Sequence, residues 1–176
     1  MQHAAQTLPE DAWIIGFGWN HNAWQPARYG TAQELDAVCA GRPAVLYAKS
    51  FHASWVNSAA LRLAGLTDAS VDPPGGKLLR NADGTLSGIL LENAMTLIDQ
   101  VIPPLKGTRL QRMLKQTQQH LLSLGITCVH DFDSLECLEA LKALEANGEL
   151  YLRESKNLPG IHLEEIAQCG YKSGIG

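Results

Sequence analysis

The 176 residues contain no His-x-His pair, no His-Glu-x-x-His helix and no Cys-x-x-Cys. None of the short spacings that place two ligands on one metal ion is therefore present. There is no Gly-x-Ser-x-Gly elbow, no P-loop and no complete dinucleotide fingerprint, because Gly16-Phe17-Gly18 lacks the third glycine and the helix that should follow. No run approaches the roughly 18 apolar residues of a membrane span. The first ten residues, Met1 to Glu10, show neither the basic nor the apolar region of a signal peptide. No membrane partner is expected, and the default compartment is the cytoplasm. Charge is sparse at 18% of residues, the net charge is −4, and there is no basic stripe, so no nucleic-acid partner is expected either.

The apolar fraction of 45% is enough for a sizeable core, and the length suits one domain or slightly more. Cys39, Cys128, Cys137 and Cys169 lie in apolar or helical contexts, which predicts buried free thiols rather than disulfides or a zinc knot. Trp13, Trp19, Trp24 and Trp55 all fall in the first third, a concentration expected of an aromatic core layer or a pocket wall.

Residues 11–19 read as a strand, and Thr31 with Glu34 forms a capping box for a helix ending at Gly41. Pro43 to Ala48 is the next strand. It delivers the stretch Phe51 to Leu61, in which His52, Trp55 and Asn57 stand between a strand and a helix over 58–64. Polar and aromatic residues at such a junction are where α/β proteins place chemistry. Equally, Asn57 or Ser58 is a helix cap, Trp55 a core residue and His52 a partner for backbone.

Lys77 to Leu91 reads as a hairpin turning at Asp83-Gly84. Glu92 follows at the mouth of a helix, where a carboxylate either serves the helix N-terminus or points into a site. Residues 108–124 carry the longest helix pattern, with Leu110, Met113, Leu114, Thr117, Leu121 and Leu124 on one stripe. A strand at 126–129 ends in His130-Asp131. Ser134 caps a following helix, residues 150–153 form a last strand, and 163–169 a short helix. This rhythm is that of parallel βα units, whose strand C-termini hold active sites. His130 and Asp131 are thus either catalytic or a buried pair that fixes loop geometry.

Several segments, taken in order, resemble one family. Trp13 to Trp19, His52 to Leu61, Pro73 to Gly76, Gly88 to Ala94 and Gly125 to Asp131 are similar to segments of the amidohydrolase superfamily, in the family 3 branch that includes N-substituted formamide deformylase-like proteins. The resemblance implies part of a metal-dependent (β/α)₈ TIM barrel with an inserted hairpin and helix, since such barrels need about 250 residues. Residues 1–106 would be its N-terminal part and insertion, and residues 107–176 its next βα units.

The implied reaction is hydrolysis of non-peptide, amide-type C–N bonds in small molecules by hydroxide on a divalent metal, zinc by expectation. His52, His130 and Asp131 would be catalytic, with His52 donating to the polarised carbonyl oxygen. Trp55, Asn57 and Glu92 would bind substrate. The implied metal ligands lie outside these residues, so no tight metal site is expected, and the isolated chain is expected to be inactive. It would self-associate or join the remainder of its barrel. Two departures bear on the pocket: Ser50-Phe51 stands where the family shows Asp-Gly, and Asn20-His21 where an aspartate leads. The alternatives are a non-catalytic α/β binding or assembly module from a split or degraded gene, and a small complete enzyme using His130 and Asp131 without metal.

Overall fold

The computed structural model describes Gln6, residues 12–158, Gly160, residues 163–168 and Gly170, in two compact units, Met1–Pro103 and Pro104–Gly176. In the first, the aromatic and β-branched run Ile14–Trp19 forms β1, which pairs in parallel with β2, Ala44–Ala48. Between them lies α1, Ala32–Cys39, which starts where the sequence places it. Thr31 Oγ1 accepts from the Glu34 amide at 3.3 Å, and the Thr31 amide donates to Glu34 Oε2 at 2.8 Å. This reciprocal cap satisfies two N–H groups that the helix cannot.

The stretch between β2 and the following helix holds a further strand. After a turn, Ala53–Val56 returns as β3, antiparallel to β2. A four-residue strand is too short to show its period and is defined by its partners instead. Helix α2, Ser58–Leu63, follows. The expected hairpin is β4, Gly76–Arg80, and β5, Leu86–Glu92. β5 also pairs with β3, giving a mixed sheet in the order β1-β2-β3-β5-β4. At Gly88 (φ +93°) a Cβ would meet Val56 O at 2.5 Å and Ala32 N at 2.9 Å, so only glycine lets β5 approach so closely. A 3₁₀ turn, Asn93–Met95, and α3, Thr96–Asp99, close the unit. Its main core joins Val45, Val56, Ala60, Leu78, Leu90 and Ile98. The Ser54 hydroxyl is buried beside this core without a hydrogen-bond partner.

The second unit runs α4 (Gly107–Ser123), β6 (Cys128–Asp131), α5 (Leu135–Ala146), β7 (Arg153–Lys156) and α6 (Leu163–Gln168). β6 and β7 pair in parallel, Cys128 opposite Arg153 and Asp131 opposite Lys156. Four sequence expectations change here. His130 and Asp131 close β6, at the strand end where the sequence places them, but β6 begins at Cys128 rather than residue 126 and β7 at Arg153 rather than residue 150. Ser134 occupies the N-cap position of α5, but its side chain makes no capping bond. Cys128 is exposed, whereas Cys39 and Cys137 are buried free thiols. Cys169 lies outside the described residues. The buried residue of α4 is Gln118: its amide donates to Glu149 O at 2.6 Å and accepts from the Tyr151 amide at 2.9 Å. Among the described residues no helix is long and apolar enough to cross a membrane.

Candidate active site

Two of the six candidate side chains meet. His52 Nδ1 lies 3.0 Å from Glu92 Oε2, although 40 residues separate them, because antiparallel pairing of β3 with β5 brings the start of one beside the end of the other. The Glu92 amide donates to His52 O at 3.1 Å, so the backbone is tied at the same point. Both side chains face solvent, with 70% and 58% exposure. The backbone on each side is unusual. Phe51 has φ +59°, and Glu92 has φ +51° with ψ −129°, a combination that residues with a Cβ avoid. Glu92 makes no helix-capping hydrogen bond, which separates it from the capping alternative.

Aromatic rings stand next in sequence and space. Phe51 lies 6.2 Å from Phe17, which stacks on Tyr47 at 5.2 Å, and both phenyl rings are largely exposed. The Tyr47 hydroxyl donates to Asp99 Oδ1 at 2.5 Å. Burial first, and then the Asp99 carboxylate, hold this phenol well above its ordinary pKa.

Trp55 and Asn57 serve the fold. The Trp55 indole N–H donates to Thr31 O at 2.8 Å, and its ring lies 5.7 Å from Trp24 and 6.2 Å from Trp19. Gly30 makes room for that ring, since a Cβ there would come within 2.3 Å of it. Asn57 is fully buried. Its Oδ1 accepts from the Ala44 and Ala60 amides, each at 3.0 Å, and its Nδ2 donates to Arg42 O at 2.7 Å. Where the resemblance implied substrate contact, Asn57 caps α2 and ties it to the start of β2. Asp36 supports the same cap through the Ser58 amide at 3.1 Å and hydroxyl at 2.6 Å.

In the second unit His130 is exposed and Asp131 is engaged. Asp131 Oδ2 pairs with Lys156 Nζ at 2.7 Å, both side chains only 11% exposed, and Oδ1 accepts from the Asp133 amide at 2.7 Å. Burial presses this carboxyl upward, but Lys156 and the Asp133 amide outweigh it and hold the pKa below the usual carboxylate range. Parallel pairing of β6 with β7 sets Lys156 opposite Asp131.

Asp131, Asp133 and Cys137 form a group whose possible ligand atoms lie within 4.8 Å of one another. Asp131 in this group is already paired with the Lys156 ammonium at 2.7 Å. Burial, and then the charge of Asp131, push the Cys137 thiol up to about 12.

The comparisons with known proteins agree with one another. A model described as the amidohydrolase family matches residues 1–172. YtcJ of Bacillus subtilis (strain 168) is 35% identical over 126 residues, 72% of this chain and 24% of its own length. The N-substituted formamide deformylase of Arthrobacter pascens is 29% identical over 175 residues, covering 97% of this chain and 32% of its own. The crystal structure of an uncharacterized metal-dependent hydrolase from Pyrococcus horikoshii OT3 superposes with a TM-score of 0.65 at 25% identity, over 99% of this chain and 33% of that one. The chain thus spans about a quarter to a third of the proteins it matches. On the match across residues 1–172, it belongs to the amidohydrolase family, in its family 3 branch.

Proposed function

We propose that these residues form part of a metal-dependent amidohydrolase barrel that hydrolyses amide-type, non-peptide C–N bonds of small molecules. The observation that carries this reading is the His52–Glu92 pair, two polar side chains 40 residues apart, joined at 3.0 Å and open to solvent. The family's divalent ion, zinc by expectation, would be held by residues other than the described ones. N-substituted formamides are the first substrates to try, because a relative matching 97% of the chain is named for them.

In this reading the two units are consecutive parts of one barrel, residues 1–106 with the inserted hairpin and residues 107–176 with the βα units, in a cytoplasmic enzyme. His130 and Asp131 would sit at the barrel mouth. The exposed Ile15 and Phe17 on the edge strand β1, and the exposed Phe132 and Tyr151 of the second unit, favour self-association or contact with the rest of the barrel. The alternative is a non-catalytic binding or assembly module, favoured by the Lys156 ion pair that occupies Asp131.

The test is to assay the protein encoded by the complete reading frame for deformylation of N-substituted formamides, with and without His52→Gln. Metal-dependent turnover that falls at least about 100-fold in the variant supports the reading. Full turnover without His52, or no hydrolysis of any amide tried, removes it.

A further inference from the structure

We infer that Glu92 fixes His52 in its Nδ1–H tautomer, so that the neutral imidazole presents a proton acceptor, not a donor, at Nε2. The argument starts from the atoms. Glu92 Oε2 stands 3.0 Å from Nδ1, and an ionised carboxylate only accepts hydrogen bonds. The hydrogen between them therefore belongs to Nδ1. In a neutral ring that leaves Nε2 with its lone pair free. Glu92 is a positioning residue: it acts through His52.

The backbone supports the same assignment. Glu92 adopts φ +51°, ψ −129°, where glycine would be unstrained and any residue with a Cβ is strained. At the end of β5 its side chain is largely exposed, so little apolar burial offsets that cost. The clasp from the Glu92 amide to His52 O at 3.1 Å holds the two residues in register while the carboxylate meets the ring. A carboxylate on one ring nitrogen that orients the other is a common arrangement around working histidines.

The consequence rests on the proposed hydrolase reading. The resemblance has His52 donating to a polarised carbonyl oxygen, and a neutral Nδ1–H ring has no proton at Nε2 to donate. His52 instead takes a proton at Nε2 from the attacking water or another acid. The ring becomes imidazolium, with its charge matched by the Glu92 carboxylate, and it can return that proton to a leaving amine.

The test needs neither substrate nor metal, so its failure is separate from failure of the hydrolase reading. The imidazole ¹⁵N resonances of His52 in the labelled chain are assigned by their loss in His52→Gln and recorded at alkaline pH. We expect Nδ1–H to be the major tautomer in the native chain, and the ratio of Nδ1–H to Nε2–H to fall at least about threefold in Glu92→Gly. Glu92→Gln keeps an acceptor oxygen and a similar volume, and it gives an intermediate ratio. A native ring that is mainly Nε2–H, or a ratio unchanged in both variants, overturns the assignment.

Discussion

Lys156 Nζ lies 2.7 Å from Asp131 Oδ2 across the parallel pair β6 and β7, and each side chain is 11% exposed. Lys156 also donates to Asp133 O at 2.6 Å, so one ammonium holds the strand end and the turn after it. Removing one partner of a buried pair leaves the other charged without compensation. Lys156→Met should destabilise the second unit by about 2–4 kcal/mol in denaturant unfolding. Asp131→Asn added to that variant should recover part of the loss, because it removes the orphaned charge.

The same pair sets a pH dependence. The folded-state pKa of Asp131 is depressed, so its contribution is complete above the unfolded value of about 4 and is lost as pH falls through the lower folded value. Stability of the second unit measured by unfolding should therefore hold from neutrality to about pH 4 and decline below it. In Lys156→Met that acid decline should be shallower.

Asn57→Ala should be among the most damaging substitutions in the first unit. It removes the acceptor for two buried amides and the donor to Arg42 O. Loss of the cap and of buried hydrogen bonds together predicts about 3 kcal/mol or more, read as a lower denaturation midpoint. Asn57→Asp keeps the acceptor and loses the donor, and it should fall between the two.

Legibility followed the distance over which each feature is decided. The Thr31–Glu34 capping box and the Asp83-Gly84 turn are local, and both stand where the residues place them. β3 was hidden because only pairing with β2 and β5 makes Ala53–Val56 a strand. His52 and Glu92 could each be singled out from their neighbours in sequence, but their contact depends on that same unseen pairing. Asn57 left cap and pocket open, since one short motif serves both; burial and three backbone partners assign it to the cap. Gln118 escaped notice because its period lies beside the apolar stripe of α4, and only Glu149 and Tyr151 explain its burial.

Ser54→Ala should stabilise the chain. The hydroxyl is fully buried in β3 and has no hydrogen-bond partner, so folding removes it from water without return. Deleting the oxygen relieves that cost at the price of a very small void. A gain of about 1 kcal/mol in equilibrium unfolding is expected.

Phe51→Gly tests whether the residue before His52 is kept for folding. Phe51 sits at φ +59°, where a side chain costs about 1–2 kcal/mol relative to glycine. Its ring is 65% exposed and meets Phe17 at 6.2 Å, a tilted contact worth about 0.5 kcal/mol. Strain relief outweighs that loss, while the wider freedom of glycine in the unfolded chain takes back part of the gain. The variant should be more stable by about 0.5 kcal/mol, a small rise in midpoint at unchanged denaturant slope. A fall of 1 kcal/mol or more would mean that Phe51 holds this turn together through contacts stronger than the tilted ring contact with Phe17, and would set aside the view that its ring faces outward at a cost to the fold.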